Sequence, residues 1–491
     1  MVTFNPFNNK NLKILFLFTI VFIGSLLIGI LSSLFSPLWV LAGIAALAFF
    51  FVLIKRPEIA LLGILIATSS IVFEDQLPLL SIGIGSLHIS DILLIGSLGL
   101  IALRRLVEHN FKIVHTPLDL PLLAFLGLAL LSTAVAIVNS SVSFSLAIRE
   151  FRVVSYYLTF FVVTNLLREE KQLRFLVRGI FAMATIVAAA MVAQFIIGRS
   201  LPFLPGRVET LQTQGVAYAD ITRILPPGQS IVLVAFITIT MVLVFDRTRQ
   251  INILILLQWG LLGLAVLVSF TRSFWVQAGL AIMILAWVAR GRQWRRLAGL
   301  GLVVILLAIL ILLPAFDQPD SRLAQLLSAS AERLATLGRV ETLNEGSLRW
   351  RYIENEYVLP QILSHPIFGL GLGARYRPYD PRIDIMARNW DARKYIHNAH
   401  FWIMMKAGLL AYICFLWLSA TFLIRSFKRW RFVSNPQLKT HVLSFALTYL
   451  GVLIGAIVNP IFLQWYWTPL IGLMMGYNEV VIRKTVRENL S

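Results

Sequence analysis

Residues 251–296 read INILILLQWG LLGLAVLVSF TRSFWVQAGL AIMILAWVAR GRQWRR. Two apolar blocks, 251–269 and 273–289, meet at Thr271-Arg272 with almost no loop between them, and the second runs out into Arg290, Arg292, Arg295 and Arg296. Each block is uncharged and has the length that crosses a bilayer as a helix, about 17–25 residues. The stretch therefore reads as an out-and-back pair of membrane helices, with one arginine in the turn and four at the return.

The pattern extends along the chain. Of 491 residues, 58% are hydrophobic and only 14% charged, where a soluble protein carries about a quarter charged. Apolar segments fall near 14–35, 37–54, 58–73, 88–103, 118–138, 151–167, 175–197, 228–245, 251–269, 273–289, 297–316, 400–424, 441–458 and 461–481. The expected fold is all-α: a polytopic transmembrane helix bundle of 12–14 spans with one large, partly helical extracytoplasmic loop. The expected divisions are an N-terminal bundle over 1–313 with an outer loop at 198–228, the large loop over 314–399, and C-terminal helices over 400–491. The first block follows Lys10 and Lys13 but is longer than the apolar core of a signal peptide and lacks a small-residue cleavage site, so it reads as a retained helix. A single cysteine, Cys414, excludes internal disulfides and cysteine metal clusters.

Charge sets the sidedness. With the N-terminus inside, 25 of the 43 Lys and Arg but only 8 of the 24 Asp and Glu fall on the cytoplasmic side. Both termini are then cytoplasmic, and the short outer loops at 74–90 and 139–148 hold no Lys or Arg. This is the positive-inside asymmetry. The net charge of +19 thus faces anionic membrane lipid, and a nucleic-acid partner is not expected.

Within the large loop, Leu323, Leu326, Leu327, Leu334 and Leu337 recur at helical spacing among polar residues, which predicts an amphipathic helix on the membrane surface or over the bundle. A second helix is expected from Ser347 to about Tyr357, ending near Pro360, followed by a flexible turn at Gly369-Leu370-Gly371-Leu372-Gly373. That glycine run lacks the offsets of a dinucleotide fingerprint.

The outer arginines are the candidates for anion chemistry. Arg223 precedes Pro226-Pro227 at the mouth of a span, and Arg272 sits in a turn where positive-inside logic disfavours a cation. A guanidinium fork at a membrane boundary suits phosphate oxygens, although arginine there also snorkels to lipid headgroups. Arg207 is a further phosphate candidate. Arg149 and Arg152 flank Glu150 and read as a local ion-pair cluster. His397, in His397-Asn398-Ala399-His400-Phe401, stands where the large loop re-enters the membrane; an imidazole there can take a proton from a hydroxyl or can simply be structural. No metal site is expected: the outer histidines lack ligand spacing beyond the 397/400 pair, and Glu354-Asn355-Glu356 and Glu74-Asp75 are acid clusters of the kind more often solvated.

These residues resemble a known family. His397-Asn398 with Gly408-Leu409-Leu410 eleven residues on, Arg351 followed by His365-Pro366-Ile367-Phe368-Gly369-Leu370-Gly371, and the Thr271-Arg272-Ser273 turn are similar to motifs of the bacterial O-antigen ligase and O-antigen polymerase family, best over roughly 260–420. Arg223 is followed by Ile-Leu-Pro-Pro-Gly where the family more usually has a glycine-containing run ending in Pro-Asn; Asn355 stands in place of a frequent aromatic and Ala411 in place of a frequent glycine. The resemblance implies a glycosyltransferase of the bacterial plasma (inner) membrane. It would act on the outer face without metal, nucleotide sugar or other cofactor. The implied donor is a glycan on undecaprenyl diphosphate, and the acceptor a hydroxyl of a glycan, glycolipid or protein. In that scheme His397 is the general base or the acceptor-orienting group, Arg272 and Arg223 hold the diphosphate, and Arg207, Arg351, Arg349, Asn398 and His400 contribute to substrate binding.

Two other readings compete. A metal-dependent lipid-linked-sugar transferase would use Glu74-Asp75. A glycan flippase or transporter would place ionisable residues near the bilayer midplane, often on broken helices; in this sequence the charges gather at the outer boundary.

Overall fold

The computed structural model describes residues 51–69, 71, 80–81, 86–201, 204, 206–213, 216–245, 252–317, 322–335, 346–384 and 391–488. The expected span at 14–35, most of that at 37–54, the Glu74-Asp75 pair and Leu337 lie outside these residues. The chain divides into two compact units, 1–57 and 58–491, and the second contains everything discussed below.

Helices dominate. In chain order they are α1 (Pro57–Thr68), α2 (Ile89–Val107), α3 (Asp119–Val138), α4 (Phe144–Ser155), α5 (Thr159–Leu166), α6 (Glu170–Ile197), α7 (Gln229–Phe245), α8 (Ile253–Val268), α9 (Arg272–Val288), α10 (Arg292–Asp317), α11 (Arg322–Ala335), α12 (Gly346–Ser364), the single turn α13 (Pro381–Asp384), α14 (Ala399–Arg429), α15 (Pro436–Gly455) and α16 (Thr468–Glu488). Among the described residues, five stretches are long and apolar enough to cross a membrane: α3, α6, Arg292–Leu310 of α10, Ala399–Phe432 and α15; α1, α7, α8 and α9 are shorter apolar helices. The molecule is an all-α, polytopic membrane bundle.

Two expectations change. The loop at 198–228 contains an antiparallel hairpin, β3 (Arg207–Thr213) with β4 (Val216–Leu225), after a two-residue ribbon of β1 (Leu80–Ser81) and β2 (Ser86–Leu87). The span expected over 151–167 is broken into α4, a 3₁₀ turn at Tyr156–Leu158, and α5. A buried polar knot sits at that joint: Arg152 Nε donates to Asp91 Oδ1 at 2.8 Å, and the Tyr156 hydroxyl donates to the same oxygen at 2.7 Å. Arg152 is therefore paired across helices with Asp91 and not with its neighbour Glu150. The Glu150 carboxylate accepts from the Gly373 N–H at 2.7 Å and lies 3.6 Å from Lys406 Nζ.

The large loop is likewise more ordered than its sequence implies. Helix α12 continues through Pro360 to Ser364. Proline removes the hydrogen bond to the carbonyl four residues back, and because Pro360 and Glu356 are both exposed, that carbonyl is left at an accessible face. The glycine run after it is a wedge, not a flexible turn. Helix α14 breaks at Gly408 (φ 88°, ψ 169°), and the strap from His365 to Ala374 fills the break. Leu370 N–H donates to the Met405 carbonyl at 2.8 Å, Gly371 N–H to the Lys406 carbonyl at 2.9 Å, and Leu409 N–H to the Pro366 carbonyl at 2.7 Å. Gly369 and Gly408 make this approach possible: both have positive φ, and a Cβ on either would strike the opposing backbone.

The elements that matter next meet at one end of the bundle. The Ala399 N–H at the start of α14 donates to Ala456 O at the end of α15 at 2.8 Å, and Asn459 Nδ2 donates to Ser273 Oγ in the first turn of α9. Since α9 and α14 begin at this end, the basic residues Arg290–Arg296 and Arg425–Arg431 belong to the other. Gly408→Ala places a Cβ against the Ile367 carbonyl at a positive-φ residue. It is expected to cost at least about 1 kcal/mol, seen as a lower unfolding midpoint of the detergent-solubilised protein than for the exposed control Ala→Gly change at Ala420.

Candidate active site

His397 lies two residues before α14, and the start of that helix fixes its surroundings. Asn398 is the N-cap, its Oδ1 accepting from the His400 N–H at 3.0 Å and the Phe401 N–H at 3.1 Å. Capping of this kind satisfies amide donors that the first turn leaves unpaired. Asn398 thus spends its side-chain oxygen on the helix. His400 is turned into the bundle: its Nε2 sits 2.9 Å from the Leu453 carbonyl and its Nδ1 3.2 Å from the Tyr412 hydroxyl. A neutral ring that donates from Nε2 and accepts at Nδ1 satisfies both contacts, which gives His400 a structural role.

His397 has a different partner. Its backbone N–H donates to Glu354 Oε2 at 2.9 Å, and its Nδ1 stands 3.1 and 3.0 Å from the two carboxylate oxygens. Glu354 is 1% exposed, whereas the His397 side chain is 21% exposed. A carboxylate at Nδ1 holds the proton on that nitrogen and leaves Nε2 as the basic atom. Tyr395 and Trp350 brace the ring edge-on, with centroids 5.0 and 5.9 Å away.

Glu354 is the candidate site residue that sequence reading missed. Read as a pair with Glu356, it looked like a solvated acid cluster. On a helix, positions two apart point to nearly opposite faces, and here Glu356 is exposed and 3.3 Å from Arg382 while Glu354 is buried. The available signal was the spacing Glu354, Val358, Ile362, which places the acid on the buried face of α12.

The hairpin contributes the arginines. Its register sets Glu209 opposite Arg223, and their side chains meet at 3.1 Å; Arg207, two residues before Glu209 and so on the same face, reaches its other oxygen at 2.6 Å. Arg223 is 23% exposed, and its Nε donates to the Ser269 carbonyl at 3.4 Å. Burial draws the Arg223 guanidinium down to about 10; Glu209 opposes this, and the nearby charges of Arg207 and Arg351 add to it. Arg223 remains a cation at neutral pH. Burial pushes the Tyr395 hydroxyl well above its ordinary range, helped by Glu354 and Tyr466, while Arg351 and Arg207 act in the opposite direction. Arg207 and Arg351 therefore sit within electrostatic reach both of Arg223 and of the tyrosine that braces His397. Arg349, two residues before Arg351 on α12, is exposed.

Arg272 is the first residue of α9. Its charge lies at the positive end of the helix dipole, where a cation is disfavoured and an anion is welcome. The turn that presents it is strained: Phe270 has φ 46°, a left-handed conformation that costs a side-chain-bearing residue about 1–2 kcal/mol. The turn is tied to the His397 end through Ser273, Asn459, Ala456 and Ala399. Arg223, Arg272, Arg207, Arg351 and His397 are thereby carried by elements that share partners at one end of the bundle. A separate groove of about 470 Å³, between the end of α3 and the 365–375 strap, is lined by none of them.

The architecture defines a polytopic helical membrane protein with a histidine–carboxylate pair and several arginines at one end. Residues 257–416 match the O-antigen ligase family. The match covers the Arg272 turn, α12, the strap, His397 and the break in α14. Together with the apolar helices, this likeness is to membrane ligases of glycosyltransferase type. No curated protein matched the chain.

Glu354→Gln keeps the size of the side chain but no longer imposes the Nδ1–H tautomer. Turnover in a glycan-transfer assay is expected to fall at least about tenfold in protein that still purifies as a folded monodisperse species. A wild-type rate in this variant would reduce the Glu354–His397 contact to a structural one.

Proposed function

We propose that this chain transfers a glycan from undecaprenyl diphosphate to a hydroxyl of a glycan, glycolipid or protein acceptor, at the outer face of the inner membrane. The observation that carries this reading is the His397–Glu354 pair at the end of the bundle where the hairpin also gathers Arg207 and Arg223 on Glu209. Nε2 of His397 takes the acceptor hydroxyl proton as that oxygen attacks the anomeric carbon. The bond from the anomeric carbon to the phosphate oxygen breaks, and undecaprenyl diphosphate leaves with the bonding pair.

Negative charge grows on the departing diphosphate, and preorganised cations stabilise it there. Arg272, Arg223, Arg351 and Arg207 are the residues assigned to that task, and they make a divalent cation unnecessary. Sidedness rests on the charge asymmetry of the sequence, which sends the basic ends of α9 and α14 to the cytoplasm and this site outward. Ligase and polymerase reactions share the step and differ in the acceptor.

The test supplies purified protein with an undecaprenyl-diphosphate oligosaccharide and a panel of acceptors in the presence of chelator. Product is expected from the wild-type chain and absent from His397→Ala and Arg272→Ala. Activity that survives both substitutions, or that chelator abolishes, overturns the assignment.

A further inference from the structure

We propose that Arg333, on the amphipathic helix α11, is a positioning residue that sets Arg272 and Arg223 through the strained turn between α8 and α9. The inference rests on the reading that these two arginines hold the donor diphosphate.

Two successive carbonyls of that turn are each held by an arginine. Ser269 O accepts from Arg223 Nε at 3.4 Å, and Phe270 O accepts from Arg333 Nη1 at 2.5 Å. Phe270 lies between them at φ 46°, a conformation that a phenylalanine abandons unless its surroundings hold it. They hold it in two ways. The ring is buried among Leu211 and Ile221 of the hairpin and Ala329 of α11, and the Arg333 guanidinium lies over it, 6.0 Å from the centroid. Arg333 is itself 6% exposed.

The geometry propagates in both directions along the chain. If Phe270 relaxes to a negative φ, the peptide planes on either side rotate. The Ser269 carbonyl that orients Arg223 then swings away on one side, and on the other the entry into α9 that aims Arg272 changes. Helix α11 thereby acts on the diphosphate without touching it. Its second tie, the Tyr218 hydroxyl on Glu332 Oε2 at 2.5 Å, joins the helix to the hairpin but not to the turn. This difference supplies the control.

The experiment measures kcat, donor KM and acceptor KM for Arg333→Met, Arg333→Lys, Tyr218→Phe and Arg272→Ala, alongside the thermal midpoint of each. Arg333→Met is expected to raise donor KM about tenfold to a hundredfold, the scale of a misplaced binding group, with acceptor KM unchanged. Arg333→Lys, which still donates to the Phe270 carbonyl, is expected to recover donor KM to within about threefold of wild type. Tyr218→Phe is expected to leave donor KM unchanged. An unchanged donor KM in Arg333→Met, or an equal rise in Tyr218→Phe, overturns the inference. Arg333→Lys as impaired as Arg333→Met also overturns it, by marking Arg333 as a direct phosphate ligand. Activity retained by Arg272→Ala sinks the underlying reading instead, so the two failures are told apart.

Discussion

Inside a bilayer no water is available to a backbone amide or carbonyl, and each one left unpaired costs several kcal/mol. A membrane helix can therefore be broken only where something else supplies the missing partners. Helix α14 is broken at Gly408, and the partners come from the strap at 366–371: the Met405 and Lys406 carbonyls and the Leu409 amide are all bonded to it. The rest of the site depends on that exchange. It clamps the large loop onto the helix that carries His397, and so fixes α12, which ends where the strap begins, against the same helix. Glu354 lies on the buried face of α12 and reaches His397 because of this clamp.

The arginine side of the site obeys a second constraint, the cost of gathering like charges. Arg207 and Arg223 are brought together by the hairpin register, and Glu209 between them offsets part of their repulsion. Arg351 is close enough to act on Arg223 as well. Arg272 begins a helix, the wrong end for a cation. The arrangement is thus electrostatically loaded, and the diphosphate of the proposed donor would relieve it. An anion that gains charge during the reaction relieves it further, which is what separates a catalytic cluster from a merely adhesive one.

The apolar blocks were legible because hydrocarbon imposes one simple rule on length and composition: α3, α6 and α15 lie close to where the sequence put them. Arg272 stood out because a cation in a short outer turn breaks the charge rule, and His397 because it stands where the large loop re-enters the membrane. The hairpin was hidden. Its second strand buries Ile221, Thr222 and Ile224, so it shows no clean alternation of polar and apolar positions. The glycines of 369–373 looked flexible because their partners, Met405 and Lys406, lie more than thirty residues downstream and become visible only when the break is seen. Glu354 was obscured by its sequence neighbour Glu356, although its helix face would have separated the two. His400, three residues from His397, looked like part of the same site, and only the contacts with Leu453 and Tyr412 assign it to the packing.

A broken membrane helix with an ionisable residue at the break is also what a transporter would have. Lys406 is such a residue, fully buried two turns into α14. Its surroundings argue against a path for solute. Its ammonium donates to the Ala374 carbonyl and lies 3.6 Å from Glu150, whose carboxylate also accepts from the Gly373 N–H. Lysine, glutamate and strap close on one another at the break. A charge pair sealed behind three glycine-fitted backbone contacts opposes opening of the break. A transferase needs this property, a loop held rigidly enough that a base on one segment and its orienting carboxylate on another stay within 3.1 Å. The break in α14 serves as an anchorage for that geometry.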